Sequence, residues 1–381
     1  MMLTVLAAFV GTVCFAQVTT SVLGGKIIDE TGEPVPGVAV IATHEPSGTV
    51  YGSTTNSEGQ YTIPGMRTGG PYKVEVTSLG YQTVTYTDIN LALGEPYTLD
   101  AQINSSTEQL SEAVVIAAPS SKFATIEKTG ASTNINSRQM DEMPTVSRSL
   151  TDMTKLSPYG GSGMNFSGSS GRFTNFTVDG ANMNNNFGLS TALPGGGNPV
   201  SIDAIEELQV VVSPYDVRQT NFIGGGINAI TKSGTNTFKG SAYVYHRNEN
   251  MHGNRIDDIE LAPRGKDRNT TYGFTLGGPI IKNKLFFFTN FEHSIIPTVT
   301  SKWRTSPDGV ANEDASISRV KTSDAAALKD YLIKNYNYDP GSYDSFPSMD
   351  QKNTKILARI DWNINRNHHL ALRYNFTTNT K

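Results

Sequence analysis

Short runs in which apolar and polar residues alternate occur along most of the chain, and this period of two predicts strands. In the clearest run, Tyr72, Val74 and Val76 are separated by single polar residues, which is typical of a strand with one buried face. Residues 38–42 show the same alternation less cleanly. Such runs are separated by turn signals at intervals of about 8–12 residues. The pattern predicts one all-β domain over residues 22–103.

Residues 56–59, with the sequence Asn-Ser-Glu-Gly, lie between two short β-like runs of this first domain. Asn favours turns because its side chain hydrogen-bonds nearby backbone groups, and Gly favours them because it adopts positive φ angles without steric cost. We therefore expect a hairpin turn at residues 56–59.

From residue 235 onward the alternating runs become longer, and the connections between them alternate in length. Strands are predicted at residues 236–247, 269–279, 284–294, 354–364 and 368–378. The connections after the first and third strands are long, and those after the second and fourth are short. Long loops on one side and short turns on the other are typical of outer-membrane β-barrels. Phe286, Phe287 and Phe288 make the third strand apolar on both faces, which suits an aromatic girdle at a membrane interface or a soluble core strand.

The middle of the chain, residues 120–232, combines helical and β-like signals. Helical turns are predicted within residues 137–156. A glycine cluster then leads into a last short β-like run, and this cluster consists of Gly224, Gly225 and Gly226. The middle region is therefore predicted to be an α+β domain.

Composition and charge narrow the class of protein. The 381 residues leave room for about two or three domains of roughly 100–200 residues each. With 36 Gly, 18 Pro and 17% charged residues, the composition favours strands and turns over helices. A formal net charge of −4 provides no basic surface, so we expect no nucleic-acid partner. No apolar run reaches the roughly 20 residues that a membrane-spanning helix needs.

The first 16 residues, MMLTVLAAFVGTVCFA, are apolar and end in small residues. This is typical of a signal peptide, with cleavage expected before Gln17. Because the basic residues that usually begin a signal peptide are missing, we expect the natural start to lie further upstream. A core strand and a lipoprotein site at Cys14 are the alternatives. Cys14 is the only cysteine, so the processed chain is expected to have no disulfide and no thiol nucleophile.

The sequence offers no constellation for catalysis or for a bound cofactor. His246 and Glu249 have a spacing that zinc peptidases use, but no third ligand follows at a convincing spacing. The segments 159–171 and 182–197 are rich in glycine and asparagine and contain no phosphate-binding motif. No nucleophile–base arrangement is apparent either. We therefore predict that the protein is not an enzyme and holds neither a metal nor a cofactor.

The first domain resembles a known accessory module. The segments GKIIDETGEPVPGVAV, TTNSEGQYTI and PYKVEVTSLGYQTV follow one another as they do in carboxypeptidase-regulatory-like domains. This resemblance implies a transthyretin-like β-sandwich of seven strands. Because the module accompanies peptidases and is not itself the peptidase, the resemblance implies a fold and no reaction.

The rest of the chain resembles TonB-dependent outer-membrane receptors of the SusC/Oar-like type. The plug domains of this family close with a GG-x-I-x-x-x-TK-x-G run, which matches the sequence from Gly224 to Gly234. Ser213 replaces a glycine that usually precedes Pro214, and this departure suggests the Oar-like branch. The resemblance implies a plug domain at residues 120–232 and the first part of a membrane β-barrel at residues 235–381. Within the plug it implies a strand with a tight turn at residues 173–180 and a passage from helix to strand at residues 202–212.

The linker at residues 104–119 contains a segment similar to the TonB box of Bacteroidetes receptors. We call it the coupling segment, and it consists of Leu110, Ser111, Glu112, Ala113, Val114, Val115 and Ile116. A flexible, β-branched segment can add as a strand to the sheet edge of a partner, where backbone hydrogen bonds provide affinity. The resemblance identifies that partner as a TonB-type energy-coupling protein. The alternative is that this run forms the last strand of the sandwich.

The resemblance also implies a location and further partners. The protein would import an unidentified extracellular ligand across the outer membrane, with its sandwich and plug on the periplasmic side. Its barrel strands would contact outer-membrane lipid. SusC-type systems imply a surface lipoprotein partner, which the Oar-like features leave open. Plug loops of this family face outward, and the corresponding ligand-contact candidates are Asn182, Asn184, Asn185, Asn186 and Phe187.

Five predicted strands are too few for a membrane barrel, which needs at least about 8 and has about 22 in receptors of this class. An open sheet would leave backbone groups unpaired in lipid, at a cost of several kcal/mol each. We therefore expect the sequence to be the N-terminal part of a longer receptor. The competing function is a structural or adhesive surface protein that uses the barrel as an anchor and residues 295–353 as a contact surface.

Overall fold

The structure is a computed structural model and consists mainly of strands. It describes residues 19–105, 114–117, 131–143, 145, 148–161, 163–184, 193, 198–214, 219–220, 222–251, 253, 255–257, 259–260, 268–298, 303–313, 316–343, 349–366 and 368–380. No helix in this part of the chain has both the length and the apolar character needed to cross a membrane. The chain divides into two compact units, one of residues 1–242, 274–292 and 355–377 and the other of residues 243–273, 293–354 and 378–381.

The first domain is a sandwich of two sheets. Its strands are β1 (Ser21–Asp29), β2 (Ala39–His44), β3 (Thr49–Thr54), β4 (Gln60–Met66), β5 (Gly69–Thr77), β6 (Val84–Leu91), β7 (Pro96–Thr98), β8 (Ala101–Ile103) and β9 (Val114–Ala117). One sheet has the order β4-β1-β7, with β8 also paired to β1, and the other has the order β3-β2-β5-β6-β9. The predicted alternation at residues 72–77 is confirmed, because Tyr72, Val74 and Val76 are fully buried between the sheets.

The sandwich has more strands than the seven that its resemblance implied. Both β7 and β8 pair with β1 in parallel, so they are two parts of one edge that is interrupted at Leu99. Gly25 on β1 makes this interruption possible, since a Cβ at that position would lie 2.1 Å from the backbone oxygen of Leu99. This close backbone approach divides one strand into two and accounts for one of the two extra strands; the other is β9, which the linker adds beside β6.

The turn at residues 56–59 forms, but the hairpin predicted there is wrong. The Asn56 side chain accepts hydrogen bonds from the backbone N–H groups of Glu58 and Gln60, at 3.0 and 2.9 Å, as an Asn-centred turn should. The strands on either side nevertheless belong to different sheets, because β3 pairs with β2 and β4 pairs with β1. The turn therefore carries the chain from one layer of the sandwich to the other.

The middle region folds as the α+β domain that the sequence predicted. It contains β10 (Ala131–Asn136), α1 (Ser137–Glu142), α2 (Leu150–Thr154), β11 (Asn175–Val178), β12 (Ala181–Asn182), β13 (Ile205–Ser213) and β14 (Gly226–Thr231). The five strands pair in the order β10-β13-β14-β11-β12. A short 3₁₀ turn at Ile202–Ala204 leads directly into β13, which confirms the predicted passage from helix to strand.

Local sequence explains why these elements begin and end where they do. Asn136 caps α1, because its side chain accepts from the backbone of Gln139 while the Gln139 side chain accepts from the backbone of Asn136. The glycine cluster is required by close packing before β14. A Cβ on Gly225 would lie 2.7 Å from the ring of Phe166, which is a fully buried core residue. Glycine therefore lets the chain pass directly over this ring.

The C-terminal region contains the five long strands that the sequence predicted. They are β15 (Lys239–Arg247), β18 (Asn269–Ile281), β19 (Leu285–Thr298), β22 (Met349–Asn363) and β23 (His369–Thr380). They pair in the order β15-β18-β19-β22-β23. The connections contain β16 (Arg255–Ile256), β17 (Ile259–Glu260), β20 (Arg304–Ser306), β21 (Ile317–Lys321) and α3 (Thr322–Tyr336).

The long strands have an inverted pattern of burial. On β22 the apolar side chains of Ile360 and Trp362 are exposed, whereas the charged side chains of Arg359 and Asp361 are buried. The same inversion occurs on β18, where Phe274 is exposed. A soluble sheet buries its apolar face, whereas a membrane barrel turns that face outward and its polar face inward.

The aromatic girdle predicted at residues 286–288 is wrong for two of its three members. Phe286 and Phe288 are 0% and 6% exposed, so they lie on the inward face of β19. Phe288 packs against Ala204, which precedes β13, and against Leu357 of β22. We call the sheet of the five long strands, β15-β18-β19-β22-β23, the wall. The Phe288 ring therefore fills space between the wall and the middle domain.

Candidate functional site

The coupling segment is only partly within the described residues. Leu110, Ser111, Glu112 and Ala113 lie outside them. Val114–Ala117 forms β9, which pairs in parallel with β6 so that Val114 lies opposite Val84 and Ile116 opposite Tyr86. The alternative reading of this run as a last strand of the sandwich thus holds for the backbone of β9. No described strand pairs with the other edge of β9.

Two of the five ligand-contact candidates lie within the described residues. The side chain of Asn184 forms its hydrogen bonds within the middle domain. Its Oδ1 accepts from the backbone N–H of Phe176 at 2.7 Å, and its Nδ2 donates to Oδ1 of Asn175 at 2.8 Å. Asn182 lies on β12 and is exposed. Asn185, Asn186 and Phe187 are outside the described residues. Of the two described candidates, Asn182 is the one that a ligand could reach, and its role stays a prediction.

The histidine considered for zinc has another partner. The Nδ1 atom of His246 lies 2.9 Å from the hydroxyl oxygen of Thr270. Among the described residues, no three or more His, Cys, Asp or Glu side chains come together in a way that could hold a metal ion.

A buried ionic cluster joins the middle domain to the inward face of the long strands. We call it the arginine cluster, and its members are Arg67, Asp179, Thr231, Arg359, Asp361 and Arg373. Arg359 binds Asp361 through two hydrogen bonds of 2.8 and 2.9 Å and donates a third to the backbone oxygen of Thr231 at 2.5 Å. This fork-to-fork geometry is the strong form of a charge-assisted pair.

Asp179 is the second carboxylate of the arginine cluster. It accepts hydrogen bonds from the backbone and the hydroxyl of Thr231, at 3.0 and 2.6 Å. Arg373 of β23 lies 3.3 Å from the same carboxylate, and Arg67 of the sandwich lies 3.5 Å from Asp361. Sandwich, middle domain and wall thus each contribute a charge, and each buried carboxylate has arginine partners.

A smaller buried group repeats this arrangement elsewhere on the wall. The Lys355 ammonium lies 2.7 Å from one oxygen of Glu292, and the Ser201 hydroxyl donates to the other oxygen, also at 2.7 Å. All three side chains are buried. Moving the loop before β13 away from β19 and β22 would break these contacts and leave a buried charge without a partner, which is costly. The contacts therefore hold the loop in place.

The sandwich contacts the middle domain through the turn after β6, which we call the Leu93 turn (residues 92–95). The backbone N–H of Leu93 donates to the Glu207 carboxylate at 2.9 Å. Its carbonyl accepts from the side-chain amides of Asn134 and Gln209, at 3.0 and 2.6 Å. The Leu93 side chain is fully buried against Ile230 of β14. Strands β10, β13 and β14 therefore all bind this one turn.

Glu207 is the acidic group of that contact and is 5% exposed. Burial raises the pKa of Glu207 to about 7, while its hydrogen bonds from Leu93 and Asn134 oppose the rise. The nearby carboxylates of Glu95 and Glu206 raise the pKa further. The charge of this group is therefore sensitive to pH near neutrality when the sandwich is attached.

Replacing Glu207 with Gln is expected to make attachment of the sandwich less dependent on pH. A detached Glu207 loses part of its burial, so its pKa falls towards the ordinary value of 4.5, whereas the pKa of the attached group is about 7. The contribution of this carboxyl to attachment is thus complete below pH 4.5 and is lost as the pH rises to 7. The thermal transition of the wild-type protein should rise as the pH falls through this range, and that of Glu207→Gln should rise less. Equal rises in the wild-type protein and in Glu207→Gln, with Glu58→Gln as the exposed control, would contradict the assignment.

Sequence reasoning missed both ionic groups and the Leu93 turn. The available signal was the presence of charged residues at alternate positions of a strand, as at Arg359 and Asp361. Alternation alone marks such a face as polar. It does not tell whether that face meets water or buried partners more than a hundred residues away, such as Thr231.

Two family models match separate parts of the chain. A carboxypeptidase regulatory-like domain matches residues 22–104, and an outer membrane beta barrel domain matches residues 230–381. Among curated proteins, the chain is similar to the TonB-dependent transporter Oar of Myxococcus xanthus, with 24% identity over 386 aligned residues. This alignment covers 96% of the chain and 34% of Oar. The chain thus spans about a third of the length of the curated relative it matches.

Solved structures of outer-membrane receptors are also similar. The siderophore receptor PirA from Acinetobacter baumannii matches with a TM-score of 0.42 and 17% identity, over 65% of this chain and 31% of that chain. The ferric enterobactin receptor PfeA from Pseudomonas aeruginosa matches with a TM-score of 0.42 and 16% identity, over 65% of this chain and 32% of that chain. TM-scores of 0.42 are too low for either match to assign a fold or a function to this chain.

The inverted strands and the match to the barrel domain define the chain as a mainly β protein of the outer membrane with an accessory sandwich. Within this class it resembles TonB-dependent transporters, through a similarity to Oar that extends along nearly the whole chain. Oar itself is a transporter and not an enzyme.

Proposed function

We propose that the full-length protein is a TonB-dependent transporter that binds an extracellular ligand and imports it across the outer membrane. The observation that carries this proposal is the arginine cluster, which attaches a separate α+β domain to the inward, polar face of outward-apolar strands. This arrangement fits a plug that blocks a barrel. The similarity to Oar supports the same function.

An energy source is needed because the proposed plug is held by buried charges. Removing one partner of a buried ion pair costs about 3–5 kcal/mol, since the remaining charge is left uncompensated. The arginine cluster and the pair Glu292–Lys355 therefore oppose spontaneous opening. Work done by a TonB-type partner on the coupling segment would supply the energy to displace the plug.

Each region then has a role in this transporter. Residues 1–16 would be a signal peptide, residues 22–103 an accessory sandwich, and residues 104–119 the linker with the coupling segment. Residues 120–232 would be the plug, and residues 235–381 the first part of the barrel. The sandwich and plug would face the periplasm, and the outward side chains of the barrel strands would contact outer-membrane lipid.

The binding partners follow from the same roles. The coupling segment would bind a TonB-type energy-coupling protein by adding a strand to its sheet. Asn182, which is exposed at the end of β12, would contact the extracellular ligand. A surface lipoprotein remains a further candidate partner.

An adhesive surface protein is the second candidate function, and one observation favours it. Helix α3 lies in the long connection between β19 and β22 and buries none of its side chains. Its exposed apolar residues are Leu328, Tyr331, Ile333 and Tyr336. Such a surface would suit contact with another cell or matrix. Adhesion needs no proton-motive force, whereas the proposed transport does.

The experiment that tests the proposed function is deletion of residues 110–116 in the full-length gene, with surface binding and uptake measured separately. If the protein is a transporter, the deletion strain loses uptake and keeps surface binding. If it is an adhesive protein, the deletion changes neither uptake nor surface binding.

A further inference from the structure

The Leu93 turn binds across the seam between two strands of the proposed plug. Its single carbonyl oxygen accepts from Asn134 of β10 and from Gln209 of β13. The neighbouring backbone N–H of Leu93 donates to Glu207, also on β13. A further hydrogen bond of 2.8 Å joins Ser132 of β10 to Glu95, at the end of the same turn. Separating β10 from β13 would therefore break contacts to the sandwich.

Among the described strands of the plug, β10 is the one that a pull on the coupling segment reaches first. It follows β9 in the chain after residues 118–130, and its described strand pairing is to β13 alone. An edge strand held by one neighbour is the easiest strand of a sheet to remove, because only one ladder of hydrogen bonds resists. The contacts of the Leu93 turn lie directly over that ladder.

The sandwich also holds the coupling segment itself. Strand β9 pairs with β6 from Val84 to Thr87, and β6 ends at Leu91, immediately before the Leu93 turn. A force on β9 is therefore applied to the strand that leads into the turn. The contact between sandwich and plug and the contact between sandwich and coupling segment lie on one continuous element.

We propose that the Leu93 turn is a clasp that keeps β10 on the plug sheet until a pull on the coupling segment withdraws the sandwich. The proposal rests on the proposed function, because it needs a partner that pulls. Opening then has an order: the sandwich leaves, the seam between β10 and β13 is uncovered, and β10 separates.

Withdrawal of the sandwich would also weaken the attachment of the plug to the wall. Arg67 lies after β4 in the sandwich, donates to the Ser233 hydroxyl at 3.0 Å and lies 3.5 Å from Asp361. Its departure removes one of the three arginines of the arginine cluster. The clasp and the plug–wall contact are thus released by the same movement.

The test is to lock the clasp and to measure uptake. In the full-length protein, Glu95→Cys and Ser132→Cys place one thiol on the sandwich and one on the plug, where the native oxygens are 2.8 Å apart. A matched control is the pair Glu30→Cys and Ser105→Cys, which joins the same residue types at 2.8 Å within the sandwich. A short, reducible thiol crosslinker is applied to cells, and the adduct is quantified in purified outer membranes.

We expect both pairs to crosslink and only the first to reduce uptake, by at least about tenfold, with recovery after reduction. The probe is the set of compounds that wild-type cells remove from a defined medium. Full uptake through the crosslinked Glu95→Cys, Ser132→Cys protein would overturn the clasp, and so would failure of this pair to crosslink while the control pair does. Absence of energy-dependent uptake in untreated wild-type cells would instead refute the proposed function, and the clasp with it.

Discussion

Deletion of residues 110–116 from the full-length gene is expected to abolish uptake and to leave ligand binding at the cell surface intact. The proposed plug is held by buried ion pairs, so a ligand can bind from outside without displacing it, whereas passage requires work on the plug. The deletion removes the segment through which a partner would do that work. It also removes most of β9, and with it the attachment of the linker to β6.

Binding and uptake are separated by measuring compounds from a defined medium in outer-membrane fractions and inside the cells. The matched control is deletion of residues 118–124, which removes the same number of residues where the linker meets the plug and leaves the coupling segment in place. Normal uptake by the strain that lacks residues 110–116 would refute the coupling role. Loss of surface binding in that strain would show that the deletion damages the fold.

Replacing Arg359 with Met is expected to loosen the plug from the wall. Met keeps much of the side-chain length and removes the charge, so Asp361 loses both of its short hydrogen bonds from Arg359. Thr231 loses a bond to its backbone oxygen as well. Leaving a buried carboxylate without its main partner costs about 3–5 kcal/mol.

The effect is measured as the thermal stability of the plug in detergent-solubilised full-length protein, and in cells as increased entry of large polar antibiotics. Arg366→Met is the matched control, because Arg366 lies in the exposed turn after β22. An exposed substitution of this kind usually changes stability by no more than about 0.5 kcal/mol. If Arg359→Met had the same thermal stability as Arg366→Met and admitted no more antibiotic, the arginine cluster would not hold the plug.

The elements with a strong period of two could be predicted from the sequence. The strand at residues 72–77 and the five long strands after residue 235 are confirmed, because alternation depends only on which face each side chain takes. The family resemblance implied the passage into β13 as well. These features are local, so the sequence around each of them is sufficient.

Features that depend on distant partners could not be predicted. The turn at residues 56–59 has the right residues, yet its flanking strands pair with β2 and β1 and not with each other. Phe288 is apolar like a girdle residue, but it is buried against Ala204, more than eighty residues earlier, and Leu357. The partners of Glu207 lie on two other elements, at Leu93 and Asn134, and no local pattern indicates them.

The coupling segment lies between these two cases. Its β-branched residues predict an extended strand, and β9 is one. The same residues fit an edge of the sandwich and an edge of a partner equally well, because both use backbone hydrogen bonds. In the chain alone, the segment pairs with the edge strand β6 of the sandwich. The proposed transport requires that it can leave β6 and pair with the sheet edge of the partner.

The decisive measurement for transport is the energy dependence of gene-dependent uptake. Cells with and without the full-length gene are compared in a defined medium, before and after a protonophore collapses the proton-motive force. If the protein is a transporter, compounds accumulate inside only in energised cells that carry the gene, and their binding to the outer membrane survives the protonophore. Retention that depends on the gene but is unchanged by the protonophore would contradict transport and would favour an adhesive anchor.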